Sequence, residues 1–319
     1  MSVSAQQVGD MGEFGLVAKA TDGLSMPPSV SVGPGDDAAC FLLDGSAVIS
    51  TDMYVEGVHF RTEWSDAGDI GRKVVAAAVA DIEAMGAVPV TLLVALGIPR
   101  NTSEAWYEAF TDGVRQECVR ANVALVGGDL SMAPQVVVTV TVVGQTGAVP
   151  AVTRDGAQPG QLVAMTGRLG WAAAGLAALG RGFRSPKAVV DAHRFPLVPY
   201  GAGRDAALAG ATAMIDVSDG LLADLGHIAD ASGVVIDIAS SKLDIGEPVV
   251  AVAQALGVDP LDYVLGGGED HALVATFALG DVPVGWVVIG QVFEPSHGLD
   301  AGVLVDGHLP TNVGGWRHF

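Results

Sequence analysis

Hydrophobic and polar positions follow two periods along this chain of 319 residues. Short runs rich in Val, Ile and Leu predict strands near 46–52, 90–96, 123–127, 135–143, 161–165, 212–217, 233–238, 271–277 and 284–289. Between many of them the period lengthens to that of a helix. Ile70, Val74, Ala78, Ile82 and Met85 mark one apolar stripe over 66–85, and a second helix over 102–121 opens on the cap-like Thr102-Ser103-Glu104. Further helices are expected at 170–180, 202–209, 219–231 and 247–256, while Pro186, Pro196 and Pro199 predict broken helix and loop from Arg181 to Gly203. The mixture predicts an α/β protein in the broad sense, with α+β mixed sheets. Gly and Pro interrupt two strand-like runs in GQTGAVPAVTRDGAQPG at 144–160, which sets one domain over 1–146 and another over 147–319. No short fixed repeat is visible, against solenoids and propellers.

Composition narrows the function classes. Only 16% of residues are charged, but Asp and Glu number 36 against 16 Lys and Arg, a formal net charge of -20. That excess opposes binding to a nucleic-acid backbone. No apolar run approaches the roughly 18–20 residues that span a bilayer, and the opening MSVSAQQVGDMGEF has no signal-peptide pattern. Cys40 and Cys118 lack the spacing of a zinc site or a redox pair. A soluble cytoplasmic protein with reduced thiols is expected.

Surface charge alone should scatter, yet here carboxylates gather beside glycines and strand ends. GPGDDAAC carries Gly35, Asp36 and Asp37, which a tight turn would explain by itself. AVISTDMYVEGVHF ends a strand on Ser50, Thr51 and Asp52 and runs to His59. In VVAAAVADIEAMGA, Asp81 interrupts an apolar helix, where a carboxylate needs a partner unless it and Glu83 sit on a solvated edge. ALVGGDL places Gly128 and Asp129 after a strand, either for a hairpin or for a phosphate against bare backbone. AMIDVSDGLLADLGHI puts Asp216 at a strand end and Ser218 and Asp219 at a helix start, where either would serve as an ordinary N-cap. YVLGGGEDHALV adds Glu269 and Asp270. The joint recurrence points to hard, oxygen-ligated cations such as Mg²⁺ holding a polyphosphate against an acidic protein. GxxxxGK[ST], the HRD and DFG pair and HExxH are absent, and the GxGxxA at Gly201–Ala206 follows no strand.

In this order, STDMYVEGVHF, DIEAMGA, GGDL, DVSDGL and GGGED resemble the thiamine-monophosphate kinases, from GEF at Gly12 to the terminal GGWRHF. Several of these motifs are shared with aminoimidazole ribonucleotide synthetase, selenophosphate synthetase and a hydrogenase maturation protein; EGVHF and the aromatic tail single out the kinase. The resemblance implies a two-domain, aminoimidazole-ribonucleotide-synthetase-like architecture and a homodimer joined through a β-barrel-like centre of N-terminal domains. It implies ATP-dependent phosphorylation of thiamine monophosphate with several Mg²⁺ ions. By that resemblance Asp37, Thr51, Asp52, Asp81, Asp129, Asp216 and Asp219 match metal positions, with Asp52, Asp129 and Asp219 the catalytic candidates. Gly128, Asp129, Arg154 and Ser218 match nucleotide positions; His59, Glu269 and Trp316 match positions around the thiamine phosphate. Ala80, Leu130 and His271 stand where relatives often carry Ser, Thr and Tyr. The acceptor phosphate, with a second pKa near 6, is mostly dianionic at neutral pH, so in-line attack needs no general base. The alternatives are another ATP-dependent synthetase of the superfamily or a non-catalytic nucleotide- or cation-binding protein.

Overall fold

Valine repeated every second residue makes the first sheet. Val136, Val138, Val140 and Val142 are buried while their neighbours are less so, the period-two pattern of a strand with one covered face. The computed structural model describes residues 7–295 and 300–310. The chain divides into two units, Met1–Ile82 with Pro89–Gly147, and Glu83–Val88 with Ala148–Phe319.

In chain order the first unit carries α1 (Val8–Met11), α2 (Glu13–Thr21), β1 (Val30–Val32), β2 (Cys40–Phe41), β3 (Ala47–Val55), α3 (Ala67–Ala84), β4 (Val88–Ile98), α4 (Glu104–Ala121), β5 (Ala124–Met132) and β6 (Val137–Gln145). Four strands form a sheet in the order β3-β6-β4-β5, with β3 and β6 antiparallel and β4 and β5 parallel. The stripe expected on α3 is there, and the helix is buried almost all round from Val74 to Ala80. Ser103 caps α4 as anticipated, accepting from Trp106 N–H at 3.2 Å, and Asn122 ends that helix in a left-handed conformation (φ 51°). Tyr107, Phe110, Val114 and Cys118 form its buried face.

The second unit continues with β7 (Leu162–Thr166), α5 (Trp171–Gly180), α6 (Lys187–Arg194), α7 (Ala202–Leu208), β8 (Ala213–Asp216), α8 (Leu221–Ser232), β9 (Val235–Ile238), α9 (Glu247–Leu256), α10 (Pro260–Gly266), β10 (Leu273–Phe277), β11 (Val287–Phe293) and β12 (Gly302–Val305). Its sheet runs β12-β9-β11-β7-β10-β8 and is antiparallel except where β12 pairs with β9. Leu221, Leu225 and Ile228 of α8 share one core with Val163, Ile215 and Val274 of the strands. Ala206 and Ala207 of α7 share another with Phe277 and Trp286.

Several expectations are corrected. The strand expected to stop at 127 continues to Met132, so Gly127, Gly128 and Asp129 lie inside β5 and form no hairpin. Its glycine is required by packing: a Cβ on Gly128 would stand 1.9 Å from the Val94 carbonyl oxygen on β4. The segment expected to hold broken helix and loop does so: one two-turn helix, α6, with Val189 and Val190 buried, stands between loops. The last apolar run starts its strand at Val287 because Val284 is fully exposed and Gly285 turns with φ 89°. The GxGxxA segment does open a helix, but its anion is internal. Gly201 and Gly203 N–H donate to the Glu83 carboxylate at 2.8 and 3.0 Å, and burial pushes that acid up to about 7. Glu83 therefore sits on no solvated edge.

Candidate functional site

On β3, alternation puts Ser50, Asp52 and Tyr54 on one face and Ile49, Thr51 and Met53 on the other. The Ser50 hydroxyl donates to Asp81 Oδ2 on α3, which gives the half-buried helix carboxylate the partner its setting demands. The Tyr54 hydroxyl donates to Asp52 Oδ2 at 3.1 Å. His59 lies in the turn after β3, its ring edge-on to Tyr54 with centroids 5.9 Å apart. Val55 N–H donates to His59 Nδ1 at 3.0 Å, so the neutral ring carries its proton on Nε2 as a donor. The Thr51 hydroxyl instead meets that of Thr141 on β6 at 3.0 Å, on the face away from Asp52. As a side-chain ligand Thr51 is therefore not brought to Asp52 and Asp81; Ser50, one residue earlier, is.

A cavity of about 590 Å³ lies in the same unit, lined by Val17 of α2, Leu93 of β4, Tyr107 and Phe110 of α4, and Val126 of β5. Its size falls within the roughly 300–1,000 Å³ of small-molecule sites. Asp36, Asp37, Gly128 and Asp129 also line it, which gives an apolar chamber with a carboxylate margin. Asp129 Oδ2 accepts from Ser131 Oγ at 3.2 Å. Asp37 is exposed in the loop before β2.

In the second unit two glycine-rich loops are stapled backbone to backbone. Glu269 N–H donates to the Ser218 carbonyl at 2.8 Å and His271 N–H to that of Val217 at 2.9 Å. A Cβ on Gly268 would lie 2.3 Å from the Ser218 oxygen, so this approach demands glycine. Asp216, Ser218, Asp219 and Glu269 are thus gathered at one end of the sheet. Neither Ser218 nor Asp219 is the N-cap expected; Gly220 is, and Asp224 Oδ2 accepts from Asp219 and Gly220 N–H at 3.0 Å each. Burial, with Asp216 nearby, pushes Asp224 up to about 7. Asp216 Oδ2 lies 2.9 Å from His271 Nδ1, and Glu269 Oε2 lies 3.3 Å from His193 Nδ1 on α6. Asp270 Oδ1 accepts from Ala172 N–H at 2.9 Å at the start of α5, and burial pushes this acid up to about 7. Glu269 and His271 both have positive φ, 65° and 52°, which tight backbone packing maintains.

Ser50, Tyr54, His193, Asp224 and Asp270 were not singled out by the sequence as site residues. Ser50 and Tyr54 had a local signal, since both share the face of Asp52, and Asp270 follows Glu269 in its motif; Asp224 joins within the first turn of α8, and only His193 joins through a contact distant in sequence. Arg154 is exposed in the segment before β7, and its carbonyl accepts from Ser232 Oγ at 3.0 Å. Trp316 lies outside the described residues. Among the described residues no three His, Cys, Asp or Glu side chains form a ready-made metal cage. The carboxylates stand instead singly or with hydroxyl and imidazole partners.

Residues 35–146 match the AIR synthase related protein N-terminal domain and residues 158–297 the AIR synthase related protein C-terminal domain. The chain is 46% identical to a thiamine-monophosphate kinase of Mycobacterium tuberculosis, over 97% of this chain and 92% of the relative. It is 40% identical to that of Corynebacterium glutamicum, over 98% and 95%. Among solved structures, AaThiL complexed with AMPPCP and TMP superposes with a TM-score of 0.79 at 30% identity, covering 99% of this chain and all of the other. The chain therefore belongs to the AIR synthase related proteins and, within them, to the thiamine-monophosphate kinase family.

Proposed function

We propose that this chain transfers the γ-phosphoryl group of ATP to thiamine monophosphate, giving ADP and thiamine diphosphate. A phosphate oxygen of the acceptor attacks the γ-phosphorus in line as the bond to the β-phosphate oxygen breaks. The observation that carries this reading is full-length similarity to a structure complexed with an ATP analogue and TMP, on a chain that keeps the oxygen-rich loops.

The apolar cavity in the first unit suits a nucleobase, with Gly128 and Asp129 at its margin facing the phosphates. In the second unit Arg154 and Ser218 are the proposed nucleotide contacts, Arg154 offering a planar two-donor fork. His59, with its Nε2 proton, would donate to the acceptor phosphate, and Glu269 would supply negative charge for the cationic thiazolium; Trp316, the aromatic candidate for that ring, lies outside the described residues. Asp37, Asp52, Asp81 and Asp129 in the first unit and Asp216 and Asp219 in the second offer carboxylate oxygens, with the His271 imidazole beside Asp216, and scattered carboxylates fit Mg²⁺, which typically takes one or two plus waters and substrate phosphates. Bound there, Mg²⁺ would neutralise charge on the transferring phosphoryl group. Asp52, Asp129 and Asp219 are the carboxylates on which turnover is expected to depend most; Thr51 would contribute only through its backbone.

The chain would act as a homodimer. Ile49, Met53 and Met132, on the edge strands β3 and β5, are 65%, 60% and 76% exposed and are the apolar side chains that a second copy would cover. Among the described residues no single helix is long and apolar enough to cross a membrane. With two free thiols and a net charge of -20, a cytoplasmic enzyme that binds neither membrane nor nucleic acid is the consistent reading. The test is ADP release with thiamine, thiamine monophosphate or an aminoimidazole ribonucleotide precursor as acceptor. Only thiamine monophosphate should support stoichiometric ADP and thiamine diphosphate; turnover with another acceptor alone would overturn the assignment.

A further inference from the structure

Tyr54 touches both halves of the proposed chemistry within the first unit. Its hydroxyl donates to Asp52 Oδ2 at 3.1 Å, and its ring stands edge-on to the His59 imidazole at an interplanar angle of 75°. The side chain is buried, so its position is fixed by packing and by the β3 backbone rather than by solvent. We infer that Tyr54 is a positioning residue that sets the carboxylate of Asp52 with its hydroxyl and the imidazole of His59 with its ring. The inference rests on the reading of Asp52 as a magnesium ligand and His59 as a contact of the acceptor phosphate.

A carboxylate that turns about its last bond presents a different oxygen to a cation, and a hydrogen bond to one oxygen stops that rotation. Groups that hydrogen-bond to a metal ligand in this way typically contribute about 10–100-fold in metal affinity or activity. The imidazole is held from two sides, by Val55 N–H on Nδ1 and by the Tyr54 ring, so its Nε2–H keeps one direction. β3 spaces the two contacts: Asp52 and Tyr54 lie two residues apart on one face, and His59 stands in the turn 57–59 that follows the strand. The rival account is that Asp52 merely satisfies a buried phenol, as buried tyrosines require.

The two roles separate by substitution. Tyr54→Phe keeps the ring and removes the hydroxyl; Tyr54→Leu removes both. Mn²⁺ bound by the full-length protein with AMPPCP, a non-transferring analogue, is counted by electron paramagnetic resonance, and steady-state kinetics are measured with Mg²⁺. Tyr54→Phe should weaken Mn²⁺ by about 10–100-fold while leaving KM for thiamine monophosphate within about twofold. Tyr54→Leu should lose the same metal affinity and raise that KM several-fold besides. A Phe variant that melts earlier yet binds Mn²⁺ like wild type would overturn the hydroxyl role, and equal KM in the two variants would overturn the ring role. If the Leu variant fails to fold, the Phe variant alone decides the role at Asp52. Wild-type protein that phosphorylates thiamine monophosphate but binds no Mn²⁺ would overturn the metal reading and this inference with it. Failure to phosphorylate at all would reject the proposed function instead.

Discussion

Asp52, Asp81, Asp129 and Asp219 each look dispensable as a lone residue, and their surroundings give them different weights. Asp52 and Asp81 accept from Tyr54 and Ser50, so each is held in one orientation within the first unit. Replacing Asp52, Asp129 or Asp219 with Asn changes one charge and almost no volume. Each should lower kcat by roughly 10²-fold or more, the scale of losing one group that stabilises charge in the transition state. Melting temperature without Mg²⁺ should hold or rise, because repulsion among carboxylates falls. Near-wild-type turnover at limiting Mg²⁺ in all three would reject these ligands. Arg154→Ala should raise KM for ATP by roughly tenfold, since a hydrogen bond to a charged group contributes about 1.5–3 kcal/mol. KM for thiamine monophosphate should change less; an unchanged ATP dependence would remove Arg154 from the nucleotide site.

At the scale of elements, the loop 267–272 is held by acids rather than by salt bridges alone. Asp270 anchors it to the start of α5, fully buried, with its pKa raised to about 7 from an ordinary value near 3.8. Burial is the main cause, opposed by the Ala172 and Gly170 N–H groups and by Arg168 and His271. An acid raised on folding binds more protons in the native than in the unfolded state between the two values. Its contribution to stability is therefore present in acid and is lost as pH rises through about 4 to 7. Asp270→Asn keeps an acceptor for Ala172 and cannot ionise. Its melting temperature relative to wild type should climb between pH 5 and pH 8; a constant offset across that range would show that Asp270 does not titrate there. Asp224 and Glu83 are raised in the same direction, so the wild-type chain should itself lose stability over the same interval.

For the whole molecule, the proposed self-association is tested at the apolar side chains that the first sheet leaves exposed. Ile49→Asp puts a charge in the apolar surface of β3 without touching Asp52, which faces the other way. Sedimentation should show a dimer for wild type and a shift toward monomer for the variant. A wild-type monomer, or a variant that remains as dimeric, would count against the sheet edges as the interface. The acidic surface is consistent with solubility and needs no further role.

Most elements were legible in the sequence because burial imposes a period: the valines of β6 alternate, α3 repeats every three or four residues, and Ser103 caps α4 through a bond three residues away. The clustering of carboxylates with glycines was legible for a related reason, since neither residue type belongs in a strand or helix core without a cause. Elements that depend on neighbours were not. β12 exists through pairing with β9, α6 through burial against α5, and the start of β11 through the turn at Gly285. The sequence placed Gly127-Gly128-Asp129 in a loop; the close approach of β4 draws them into β5 instead. Within the site, local order told which segments matter and left open which atoms meet. Alternation on β3 turns Thr51 away from Asp52 and brings Ser50 to Asp81, and Asp224, in the first turn of α8 itself, takes the N–H groups of Asp219 and Gly220, the former of which was expected to cap. Residue types and their periods fix which segments seek a core or an ion, because burial acts on every residue. Contacts between groups tens of residues apart depend on strand register and loop approach, and the chain decides those only once its tertiary structure has formed.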